Sequence, residues 1–194
     1  FDEYWAKPDF QLDDMNRNFL GDASYYRQVF EKITPLLDGE APVFNYMLTI
    51  FGHLDYPLNE IRPAVIGTTD DNQLVHDYVN TMYYKSRELM AFLAVLRARD
   101  PDALIVLFGD HPPFLGPNHG GFIESGLLTD QRSSFTDAMF ETLVSTPLVV
   151  IDGKRGPLQL GKLPMYQLPG LILDLLGDRR PTLMQLAATS PDAP

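Results

Sequence analysis

With 194 residues, 45% of them hydrophobic and 21% charged, the chain can bury about 70% of its unfolded surface, which excludes wholesale disorder. A formal charge of −11 excludes nucleic acid or an anionic membrane face as a partner, because either would require a basic surface. The absence of cysteine excludes disulfides, Cys-ligated zinc and thiol nucleophiles, and suits a secreted or periplasmic setting.

Taken in chain order, residues 1–23 are polar and aromatic without a clear period and read as a surface loop. No signal-peptide character is visible at Phe1-Asp2-Glu3-Tyr4-Trp5, and no apolar run approaches the roughly 20 residues of a membrane span. Ser24 is placed to cap a helix running to about Leu37, with Tyr25, Val29, Ile33 and Leu36 on one face. Val43 to Thr49 reads as a buried strand, broken by Phe51-Gly52-His53, and the prolines between His53 and Thr69 mark a long loop.

Thr69-Asp70-Asp71 opens the longest predicted helix, where Val75, Val79, Met82, Leu89, Leu93 and Leu96 recur at helical spacing as far as Arg97. That face is expected to cover a sheet. Asp100-Pro101-Asp102 stops the helix, and Ala103-Leu104-Ile105-Val106-Leu107-Phe108 follows as the continuous apolar run of a parallel strand buried on both faces. Strand, helix, strand in that order predicts a right-handed crossover. A Gly- and Pro-rich loop spans 109–121, a short helix is expected near 135–144, Pro147 to Ile151 reads as a further strand, and Leu163 to Leu176 as a closing helix ended by Gly177.

In an open parallel sheet, ligands bind beyond the carboxyl ends of the strands. That rule selects Gly109-Asp110-His111 and Phe51-Gly52-His53 and puts both histidines on one rim. Adjacent Asp and His at a strand end can turn a carboxylate and an imidazole toward one cation. The competing structural reading is that Asp110 caps the following loop while His111 packs on Pro112 and Pro113. His76 reads as a surface histidine, Thr49 and Ser86 as packing and surface positions, and Tyr83 and Tyr84 as core and rim of their helix.

The run Leu104 to His111, followed by Asn118-His119, resembles the metal-binding strand and loop of the sulfatase branch of the alkaline phosphatase superfamily. Within that branch it is most similar to lipoteichoic-acid-synthase-like phosphoglycerol transferases and their phosphoethanolamine transferase relatives. Phe44 to Leu58, Thr146 to Ile151 and Leu168 to Gly177 match the same family in the same order. The resemblance implies that Asp110 and His111 bind a divalent metal (Mn, Zn or Mg; Ca in a true sulfatase), that His53 contacts the phosphate group, and that His119 lies near the substrate. The family's nucleophile and first metal-binding acid would lie upstream of Phe1. The family's Trp-Gly signature is met only by Phe19-Leu20-Gly21, and the Asp of its closing motif is missing from Tyr166-Gln167-Leu168-Pro169.

The expected architecture is α/β, a mainly parallel sheet with helices on both faces, with residues 1–178 forming the C-terminal part of a sulfatase-like catalytic domain and 179–194 a weakly ordered tail. The expected function is metal-dependent transfer of a phospho group, or hydrolysis of a phosphate ester, on an envelope lipid or glycan. A lipid-linked substrate fits that setting, as does a membrane-anchored parent facing the periplasm or the extracellular side. A true sulfatase and a non-catalytic binding domain are the alternatives. The isolated chain is expected to be inactive and to need the missing N-terminal part of its domain, or self-association, to cover its sheet edge.

Overall fold

The computed structural model describes residues 2–68, 72–155 and 159–184, which fold as two compact units. One comprises residues 1–101 and 107–149, the other residues 102–106 and 150–194. Near the N-terminus, where a loop was expected, strands β1 (Met15–Asn16) and β2 (Phe19–Leu20) form an antiparallel hairpin, with Arg17 in the turn at φ 52°. Helix α1 (Asp22–Leu37) follows at once, capped by Gly21 and not by Ser24. A side chain at position 21 would collide with the Asp14 carboxylate and the Arg62 guanidinium, so glycine there leaves room for that ion pair.

The long helix α2 (Gln73–Arg99) spans about 40 Å at 1.5 Å per residue. Asn72 caps it, its side-chain oxygen accepting from the N–H groups of Leu74 and Val75. The expected start at Thr69-Asp70-Asp71 lies outside the described residues. Among the described residues, no sheet lies under this helix. It packs on α1, where Tyr26 stacks on Phe92 with centroids 4.8 Å apart, and on the segments that carry Tyr56, Leu115 and Phe122.

Its N-terminal half forms the core with Tyr56, Leu115, Phe122 and Leu128, and Tyr78, Met139 and Leu143 close the margin. Amid that apolar stripe, two polar residues, Asn80 and Thr81, are fully buried. Asn80 is completely satisfied: its oxygen accepts from the N–H groups of Val65 and Ile66, and its amide nitrogen donates to Ile66 O and His76 O. The loop after His53 is thereby fastened to the helix.

Strand β3 (Leu104–Phe108) pairs with β4 (Leu148–Asp152). At one end Gly109 N–H donates to Pro147 O (3.3 Å), and at the other Lys154 lies 3.8 Å from Asp102. Residue numbers thus rise in one strand as they fall in the other, and the pair is antiparallel.

The parallel sheet and the crossover are therefore corrected. Residues 43–49 carry no assigned strand, and Phe44, Tyr46, Leu48 and Ile50 are all exposed. An apolar run bounded by turn residues marks a segment suited to burial in a strand, but only a neighbouring strand can make it one. Between the two strands lie α3 (Gly120–Glu124) and α4 (Asp137–Val144), and α5 (Leu168–Leu175) closes the chain, shorter than expected, with Gly177 at φ 75° just beyond it. Most of the expected tail, residues 185–194, lies outside the described residues. Among the described residues, no helix is long and apolar enough to cross a membrane.

Candidate functional site

Residues 51–56 form a turn that presents His53. His53 N–H donates to Ile50 O (3.0 Å) and Tyr56 N–H to His53 O (3.1 Å). Gly52 sits at φ 76°, which disfavours other residues, and a side chain there would collide with Thr81.

Two residues of α2, one helical turn apart, grip this turn at its ends. Thr81 donates its hydroxyl to Tyr56 O (3.1 Å), and the Lys85 ammonium donates to Phe51 O (2.6 Å). Between them, the buried Phe51 ring lies beneath the Arg62 guanidinium, 4.9 Å from its centroid. The Tyr56 hydroxyl donates to Phe114 O (2.9 Å), tying the turn to the loop that carries His111.

Asp110 and His111 leave the end of β3. Gly109 there is called for by packing: a side chain would crowd Thr146 at 3.1 Å, and the Thr146 hydroxyl donates to Gly109 O (2.7 Å). Asp110 Oδ2 lies 3.6 Å from His111 Nε2, with both side chains more than 60% exposed. His111 Nδ1 is 2.9 Å from Pro112 O, which can only accept, so Nδ1 donates there, and in the neutral ring Nε2 is the nitrogen left to act as a ligand on the side of the carboxylate. Asp110 Oδ1 also accepts from His111 N–H (3.0 Å), so the loop-capping reading holds together with the paired arrangement.

The rings of His53 and His111 meet edge to face with centroids 6.3 Å apart. Asp110, His111 and His53 therefore converge, although His53 arrives on a turn and not from a neighbouring strand end. His119, at φ 61°, lines a cavity of about 300 Å³ together with His111, Phe114, Phe122 and Leu143. His53 does not line that cavity. His76 forms a separate surface cluster with Gln73 and Asp77 on α2. Among the described residues, no group of three or more His, Asp or Glu side chains is placed to hold a metal ion, so Asp110 and His111 would offer a cation two ligands at most.

What the sequence reading missed is the charged network behind His53. Asp22, only 1% exposed, meets the Lys85 ammonium at 3.1 Å. Arg62 donates to both oxygens of Asp14 (2.9 and 2.5 Å) and to Glu88 (2.8 Å), while the second Glu88 oxygen accepts from Ala23 N–H (2.8 Å). Burial pushes the Asp22 carboxyl up to about 6, even though the Lys85 charge and hydrogen bond pull it down. The Arg62 hydrogen bonds hold Asp14 below its usual range. One cue was available in the sequence: Thr81, Lys85 and Glu88 recur on α2 at helical spacing beside its apolar stripe, marking a face with buried polar partners.

The sulfatase family profile matches residues 1–161. A protein of Rhizobium meliloti (strain 1021), provisionally named a cyclic beta-1,2-glucan modification protein, is 27% identical over 146 residues, which are 72% of this chain and 22% of that protein. The chain thus spans about a fifth of the length of that relative. No solved structure gives a significant match. With most of its length under the family profile, the chain belongs to the sulfatase family and with it to the sulfatase branch of the alkaline phosphatase superfamily, whose domains have an α/β fold.

Proposed function

We propose that this chain forms the cation- and phosphate-holding rim of an enzyme that transfers a phospho group to a glycan or lipid of the cell envelope, or hydrolyses such an ester. The observation that carries this reading is the convergence of Asp110, His111 and His53 on one exposed rim, with His111 Nε2 3.6 Å from Asp110 Oδ2. Asp110 Oδ2 and His111 Nε2 would hold a divalent cation, Mn, Zn or Mg, and the remaining protein ligands and the nucleophile would come from residues outside this chain. When bound, such an ion neutralises charge that builds on the transferred group and makes a coordinated nucleophile easier to ionise.

His53 donates a hydrogen bond to a non-bridging oxygen of the transferred group, and His119 does the same from the wall of the cavity. A cavity of about 300 Å³ with Phe114 and Phe122 in its walls suits one sugar ring or glyceryl unit of the ester. The glucan named for the Rhizobium relative supports a glycan as acceptor. The missing cysteines support a site outside the cytoplasm, on a membrane-anchored parent.

A true sulfatase is the second reading, favoured by the family's own name. Calcium would then replace the other ions. Both readings are tested in a longer protein containing this chain, with nitrophenyl phosphate and nitrophenyl sulfate as substrates. Phosphate turnover that falls about 10²-fold in His53→Ala, the usual effect of losing a transition-state donor, supports the proposal. Sulfate turnover alone selects the second reading, and unchanged kinetics in His53→Ala refutes the assigned role. The 194-residue chain by itself should bind zinc weakly and turn over neither ester, and sustained turnover abolished by Asp110→Ala would show the site to be complete within it.

A further inference from the structure

We propose that Lys85, held by the buried Asp22, is a positioning residue that sets the location of His53 by fixing the backbone at Phe51. The Lys85 ammonium has three donors and meets three acceptors: Phe51 O at 2.6 Å, Asp22 Oδ2 at 3.1 Å and Thr49 Oγ1 at 3.4 Å. Two of these acceptors belong to the segment leading into the His53 turn, and the third comes from α1. The stem of the same side chain packs against Gly52, where a Cβ would meet Lys85 Cδ at 3.1 Å. Lys85 therefore touches the two residues before His53, one through its charge and the other through its methylenes.

Asp22 explains why a cation is placed here. It is 1% exposed and lies in the first turn of α1, so its carboxylate is a fixed anchor inside the α1–α2 contact. The Lys85 ammonium, on a side chain 20% exposed, cannot swing away without leaving the buried carboxylate uncompensated. The hydrogen bond to Phe51 O inherits that rigidity. At the far end, Thr81 pins Tyr56 O, so the His53 turn hangs between two fixed points on a single helix. That both grips come from one helix face makes the His53 position a property of α2, and a shift of one end relative to the other would move the ring away from His111.

The alternative is that Lys85 merely neutralises Asp22. The two are separated by comparing Lys85→Met with the double variant Asp22→Asn/Lys85→Met, measured as the 194-residue chain by NMR. The single variant strands a buried carboxylate and loses stability for that reason alone, whereas the double variant removes both charges and should regain a urea midpoint close to that of the unmodified chain. The readouts are the nuclear Overhauser contact between the His53 and His111 rings and the hydrogen exchange of the His53 and Tyr56 amides that close the turn.

In the double variant, positioning predicts loss of the ring contact and at least about tenfold faster exchange at both amides, as expected for a locally opened turn in an otherwise folded chain. Retention of the ring contact with exchange unchanged would overturn the proposal. The importance of the positioning rests on the reading of His53 as an oxyanion donor, but the measurement does not. Orthophosphate added with magnesium to a longer protein containing this chain should shift the His53 ring signals. No shift there would defeat the functional reading while leaving a lost ring contact as support for positioning.

Discussion

Replacing Arg62 with methionine should remove a large share of the stability of the N-terminal unit. The residue is 3% exposed, and its guanidinium spans two carboxylates, with donor distances of 2.9 and 2.5 Å to Asp14 and 2.8 Å to Glu88, above the face of Phe51. Methionine keeps much of the stem volume but leaves Asp14 and Glu88 uncompensated at 20% and 15% side-chain exposure. Removing one partner of a buried ion pair costs about 3–5 kcal/mol. At this chain length each kcal/mol moves the melting temperature by about 2–4 °C, so Arg62→Met should melt about 6–20 °C lower.

Arg62→Lys should recover only part of that loss, because a compact ammonium cannot bridge both carboxylates. The triple variant Asp14→Asn/Arg62→Met/Glu88→Gln should recover most of it, since no unpaired charge remains. Urea unfolding followed by far-UV circular dichroism, with thermal melts alongside, supplies the numbers. The pH dependence gives a second check. Arg62 holds Asp14 below its ordinary value of 3.8, so the stability of this pair is present above that pH and lost as pH falls through the lower folded-state value. A loss below about 1 kcal/mol in Arg62→Met, or a triple variant no more stable than the single one, would refute the assignment of this network as a structural centre.

Asp22 titrates in the opposite sense: its folded carboxyl, raised to about 6, binds a proton more tightly than the unfolded one at 3.8, so this group favours folding below that value and its contribution is lost as pH rises through 6. The difference corresponds to about 3 kcal/mol, and Asp22→Asn should flatten the decline in urea midpoint between pH 4 and pH 6.5; an unchanged slope would count against it. Gly52→Ala should destabilise the chain by about 2–4 kcal/mol, combining a left-handed backbone with a collision against Thr81, and a near-neutral melt would mean that the turn is not held as described.

The sequence by itself determined the local elements that need no distant partner. Helical spacing and end signals placed α1, α2 and α4 within a few residues, and the apolar runs placed β3 and β4. Motif and order also marked Asp110, His111 and His53 as one set, because ligand chemistry gathers at strand ends and turns that glycine punctuates. Tertiary structure alone decided what pairs with what. Residues 43–49 have the composition of a buried strand yet carry none, and β3 pairs antiparallel with β4, because strand identity depends on hydrogen bonds to a segment far away in the chain. The buried Asp22 and Arg62 and the half-buried Asp14, Lys85 and Glu88 were illegible for a related reason. In sequence, charged residues read as surface, and only when α1, α2 and the His53 loop close on one another do their charges find the partners that make burial tolerable and, in doing so, hold the His53 turn in place.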